Sequence, residues 1–153
     1  MTTETRNVEK VINTRQQFYI AVDGKEFDSE DDCREYEKAL KIVTNKAVLP
    51  MFKRVTEYDL FNGWAGCEDF DFGLVKVTED NLAQLQLFME LNGGKGVTYD
   101  DGTKHELTMD YIGKTCLFTV GYGDTVDGGS FCGSVNEWYT YMTNAMCNAL
   151  KLD

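Results

Sequence analysis

His105 is the only histidine in the chain, so catalysis of the Ser-His-Asp or Cys-His kind has to run through it, with Cys116 or Cys132 as the sulfur nucleophile. Neither cysteine stands in a nucleophile elbow or a protease-type signature, and Lys104-His105-Glu106 reads as part of an exposed strand. A solvated strand histidine is therefore the expected reading. The glycine-rich segment from Gly121 to Ser130 invites phosphate binding, but it lacks the lysine of a P-loop. Val126 occupies the last glycine position of a G-x-G-x-x-G, and Asp124 and Asp127 would repel phosphate. It reads as a mobile connection. Asp71-Phe72-Gly73 echoes a kinase tripeptide without the lysine strand or catalytic loop that would give it meaning.

The carboxylates are the other chemically capable group. Glu68, Asp69 and Asp71, or Asp100, Asp101 and Asp110, have the ligand types for a cation, but neither set fits the spacing of an EF-hand loop. No metal or cofactor is expected. Two converging carboxylates would suit glycosidase-like acid/base work, and nothing in the spacing says which two. The remaining use is recognition. Duplex DNA carries one charge per roughly 1.7 Å of axis, and a protein wearing carboxylates at similar density can occupy a basic groove meant for nucleic acid. The candidates are Asp28, Glu30, Asp31 and Asp32, then Glu57, Asp59, Glu68, Asp69 and Asp71, then Asp100 and Asp101. Trp64 and Phe70, interleaved with the second group, would supply apolar contact area.

Charge is distributed unevenly enough to matter. Residues 1 to 54 hold ten Lys/Arg against ten Asp/Glu, and residues 55 to 153 hold five against sixteen, so the whole formal charge of −11 falls in the later part. Such a chain is expected to avoid nucleic acid and anionic membranes and to seek a protein with a basic surface. Acidity that serves only solubility is the competing explanation. Five cysteines, widely spaced and without a C-x-x-C pair, argue for reduced thiols. No apolar run reaches 18 residues, the length a spanning helix needs, and no secretion signal opens the chain. A cytoplasmic protein is expected.

The elements that must position these residues follow from turn and cap signals. Residues 1 to 16 read as a flexible or helical N-terminal arm, and residues 17 to 153 as a single α+β domain. The β-rich run Phe18 to Val22, turned by Asp23-Gly24 into Lys25-Glu26-Phe27, predicts a hairpin. A helix then starts at Asp28 or Ser29, with acids in its first turn and Cys33, Tyr36, Leu40 and Val43 facing the core. Tyr58 to Phe72 reads as an irregular loop. A strand over 72–77 leads to a helix capped by Thr78, with Leu82, Leu85, Phe88 and Met89 inward and Asn92-Gly93-Gly94 as its stop. A second hairpin is predicted over 97–107, a buried strand over 115–120, and a last helix opened by Ser134 and Glu137, with Trp138, Tyr141, Met142, Ala145 and Ala149 apolar. The sum is an α+β fold, a mostly antiparallel sheet carrying about three helices in one compact domain.

The run from Tyr19 to Glu37, of the form strand, D-G-K-x-F, acidic helix start, C-x-x-Y-E, resembles a pattern found in small accessory proteins of bacteriophages and prophages. It covers about an eighth of the chain and carries no catalytic residue. The resemblance implies an anti-defence protein of the anti-CRISPR type, non-enzymatic, acting in the host bacterial cytoplasm on the basic nucleic-acid site of an effector nuclease. A small enzyme using carboxylates or a Cys-His pair, and a phage structural or accessory protein, are the alternatives.

Overall fold

The computed structural model of the protein describes residues 18–55, 70–94, 96, 102, 105–121 and 129–150. The Asp23-Gly24 signal is met by a tight turn: Gly24 adopts φ 87°, its N–H donates to the Ala21 carbonyl at 2.8 Å, and the Ala21 N–H donates to the Lys25 carbonyl at 2.9 Å. The turn joins β1 (Tyr19–Ile20) to β2 (Glu26–Phe27) with Tyr19 opposite Phe27. This hairpin is a separate two-stranded ribbon and not part of the main sheet.

Helix α1 (Glu30–Val48) follows, capped by Ser29, whose hydroxyl accepts from the Asp32 N–H, with Glu30, Asp31 and Asp32 in the first turn matching the positive end of its dipole. Cys33, Thr44 and Val48 are buried along it, with Leu40 half-buried. Val43 was expected inward and is instead 66% exposed. At about 100° per residue, the face that carries Cys33 at one end and Val48 at the other passes through Thr44, which rotates Val43 to the outside.

Pro50 turns the chain through a short 3-10 segment, Leu49–Met51, into β3 (Lys53–Val55), a strand that the basic sequence after the helix conceals. β4 (Phe70–Lys76) starts two residues earlier than the sequence pattern predicts, so Phe70 and Asp71 are strand residues paired with Gly121 and Val120, not loop. With β5 (Thr115–Gly121) and β6 (Phe131–Ser134) these strands form an antiparallel sheet in the order β3-β4-β5-β6. Between the pairs Cys116–Ser134 and Phe118–Phe131 the register shifts, leaving one extra residue on β6 where Gly133 takes φ 96°.

Helix α2 (Glu79–Leu91) has the capping box and buried face its sequence predicts: Thr78 and Asn81 bond reciprocally, and Leu82, Leu85, Phe88 and Met89 are buried. Asn92 and Gly93 end it, and the Asn92 amide donates to Asn45 Oδ1 at 2.8 Å, tying α2 to α1. The predicted second hairpin is corrected. Residues 105–108 are not in a strand, and the Leu107 carbonyl accepts from the Gln86 side chain of α2 at 2.8 Å. Residues 97–101 lie outside the described residues, as do the predicted arm over 1–16 and most of the glycine-rich connection, 122–128.

Helix α3 (Val135–Leu150) lies on β5 and β6. Trp138, Tyr141 and Met142 are half-buried as expected, but Ala145 is exposed, because the helix extends past the short strands that its first turns cover. The α+β class expected from the sequence is the observed one.

The core joins these layers through rings. Phe118 lies 5.3 Å from Phe52 and 5.2 Å from Phe131 between centroids, and Phe52 lies 5.6 Å from Phe88. Gly73 of β4 exists to let this happen: a Cβ there would stand 2.8 Å from the Phe52 ring and 2.8 Å from a Val120 methyl. Gly73→Ala should therefore overpack the core and cost about 1–3 kcal/mol, read as a lower urea midpoint with the slope unchanged.

Candidate functional site

The residues nominated by the sequence divide sharply. Asp28, Glu30, Asp31 and Asp32 are all exposed, at the corner where the hairpin enters α1. Phe70 and Asp71 begin β4, and nothing is described of their side chains. Glu57, Asp59, Trp64, Glu68, Asp69, Asp100 and Asp101 lie outside the described residues.

At the corner, Tyr36 of α1 fastens the hairpin. Its hydroxyl donates to Asp23 Oδ2 at 2.6 Å, while the Lys25 N–H donates to Asp23 Oδ1 at 3.2 Å and the Val22 N–H donates to Glu37 Oε1 at 3.1 Å. The Lys25 ammonium stands 4.2 Å from the Tyr36 ring centroid, and the Phe27 ring packs tilted against Tyr36 at 5.1 Å. The Tyr36 hydroxyl holds the Asp23 carboxyl below its ordinary value, and the same bond raises the tyrosine. Glu30 pairs with Arg34 one turn on. The corner is thus fastened to α1 by turn and cap chemistry, and Asp28, Glu30, Asp31 and Asp32 are exposed on it.

A second constellation escaped the sequence. His105, expected on an exposed strand, is 8% exposed. Its Nδ1 lies 3.1 Å from the Tyr111 hydroxyl and 3.9 Å from Glu137 Oε2. Glu137 is at the same time the capping residue of α3: its Oε2 accepts from the Ser134 N–H and hydroxyl, both at 2.8 Å, and its own N–H donates to Ser134 Oγ at 3.3 Å. Gly133 makes room for the meeting, since a Cβ there would come within 3.1 Å of His105 Nδ1. Glu137 also borders an open cleft of about 700 Å³ with Leu74, Lys114, Thr115 and Asn136.

The electrostatics of this cluster suit structure better than turnover. Partial burial works against the Glu137 charge, but the Ser134 bonds, His105 and Lys114 outweigh it and keep the carboxyl below its ordinary value. Burial first, and the Glu137 charge second, push Tyr111 up to about 12. Burial pushes Cys116 and Cys132 up to about 12 as well, so both thiols are protonated at neutral pH and neither is a ready nucleophile. What the cluster does is stitch the 105–111 segment to the start of α3. The Ser134–Glu137 spacing announced the cap, whereas no local signal could announce His105, whose partners come from separate elements.

Among the described residues, no group of three or more His, Cys, Asp or Glu side chains is arranged to hold a metal ion, and no helix is long and apolar enough to cross a membrane. Compared with protein-family models, curated proteins and solved structures, the chain shows no match to any of them.

Three outcomes follow from these bonds. Ser134→Ala should cost about 0.5–2 kcal/mol by loss of the cap, read in thermal or urea unfolding. Because the folded Glu137 carboxyl lies below its ordinary value of 4.5, its contribution is complete above that pH and is lost as the pH falls further. The stability gap between the natural chain and Glu137→Gln should accordingly be present at neutral pH and close in acid. Tyr36→Phe should move the Asp23 titration upward, as followed by carboxyl NMR.

Proposed function

We propose that the chain is a non-enzymatic binding protein of the phage anti-defence kind, which presents its acidic hairpin–helix corner to the basic nucleic-acid site of a bacterial effector nuclease and competes there with DNA or RNA. The observation that carries this reading is the exposure of Asp28, Glu30, Asp31 and Asp32 on one corner, which the Tyr36–Asp23 bond fastens to α1. Ordered carboxylates bind a cationic groove at lower entropic cost than carboxylates on a loose segment would. The formal charge of −11 speeds approach to such a groove. The resemblance of residues 19–37 to phage accessory proteins supplies the biological setting, and the protonated state of Cys116 and Cys132 weakens the Cys-His enzyme reading.

Capture of bacterial RNA-guided nucleases on the immobilised chain, followed by mass spectrometry, should yield a partner whose nucleic-acid binding the chain inhibits. That binding should weaken by tenfold or more between low and moderate salt, as contacts that replace several phosphates do (about one decade or more over this range). Reversing Asp28, Glu30, Asp31 and Asp32 to lysine together should abolish it. Binding that ignores salt, or that survives the reversal, rules the electrostatic reading out.

A further inference from the structure

Turn and cap chemistry explains why acids open α1 and cations close it, but not why two large aliphatic side chains are left in water between them. Ile42 is 69% exposed and Val43 66% exposed, both in the middle of a regular nineteen-residue helix. Ile42 lies on an outward stripe with Asp32, Glu35, Ala39 and Lys46, all exposed, at the spacing i, i+3, i+7, i+10, i+14 of a helix–helix seam, and Val43 flanks it. The stripe is acidic at its N-terminal end, small in the middle, then apolar, then basic. A surface of that order is complementary to itself when reversed.

We infer that α1 pairs with α1 of a second copy of this chain, antiparallel, about a two-fold axis at Ala39. In that register Asp32 of each copy lies beside Lys46 of the other, so the ion pair is made twice. Ile42 and Val43 of each lie over Ala39 and the aliphatic stem of Glu35 of the other. The small side chain of Ala39 lets the two helix axes approach. Sliding the axis to Ile42 would bring Lys38 against Lys46, which sets the register. Charge also favours a second copy over other occupants. Nucleic acid is repelled by the net −11, and a wholly basic or wholly acidic protein surface would meet like charge at one end of the stripe. The contact falls in the electrically balanced part of the chain, residues 1 to 54, where two acidic molecules repel each other least. It covers Asp32, so self-association and engagement of a basic partner by the acidic corner exclude one another.

The test uses the purified chain alone, which separates it from the binding function. Sedimentation equilibrium over a concentration series into the millimolar range should show a monomer–dimer equilibrium at low salt that shifts toward monomer at high salt. Asp32→Lys and Lys46→Asp should each weaken the dimer by about tenfold, since each reversal sets like charges together twice. The two combined should restore it. Ala39→Arg, an exposed change that leaves the buried face intact, should abolish it, with helical content by circular dichroism unchanged. A chain that stays monomeric throughout, or a double reversal that fails to recover association, overturns the inference.

Discussion

The ring of Phe118 is the contact on which the rest of the molecule depends. It touches Phe52 at the entry to β3 and Phe131 on β6, while Phe52 reaches Phe88 of α2 and Phe131 meets the Tyr111 ring edge-on at 4.7 Å. Each of these aromatic pairs adds about 0.5–1.5 kcal/mol beyond the area it buries. More to the point, they connect five segments of the chain, from Phe52 before β3 to Phe131 on β6. Gly73 is the condition for this arrangement, because its missing Cβ is the space the Phe52 ring occupies.

The two sites hang from that core in different ways. The His105, Tyr111 and Glu137 cluster is attached directly, since Tyr111 uses its ring for Phe131 and its hydroxyl for His105. The acidic corner is attached indirectly, through Tyr36 and the buried side of α1, which packs against α2. A polar surface on a helix whose other face is committed to the core has little freedom to rearrange. Such a surface has its ordering cost met during folding rather than at binding.

Where chemistry is local, the sequence was readable. Ser29, Thr78, and Ser134 with Glu137 cap the helices they were expected to cap, Asp23-Gly24 turns the hairpin, and the four buried positions of α2 are the predicted ones. Where it depends on distant partners, the sequence was opaque. Lys53-Arg54-Val55 shows no alternation and becomes a strand only because β4 is there to pair with it. His105 stands between two charged residues and looks solvated, yet Gly133, at the positive-φ bulge of β6, gives it a place inside. Val43 and Thr44 exchange roles because the burial stripe is fixed by both ends of a long helix, and a short window of sequence sees only one. The acidic corner was legible as composition, while the Tyr36–Asp23 bond that fastens it to α1 was not.

The strand order β3-β4-β5-β6 leaves two edges among the described residues, and both are poor templates. β3 is three residues long with Lys53 and Arg54 outward, and β6 is short and broken by its bulge. Short, charged or bulged edges resist the addition of a foreign strand. Among the described residues, the four-stranded sheet thus offers little to β-augmentation or to the runaway stacking that an open sheet invites. What this sheet leaves for contact is side chain rather than backbone, carried on the helix surfaces and turns around it.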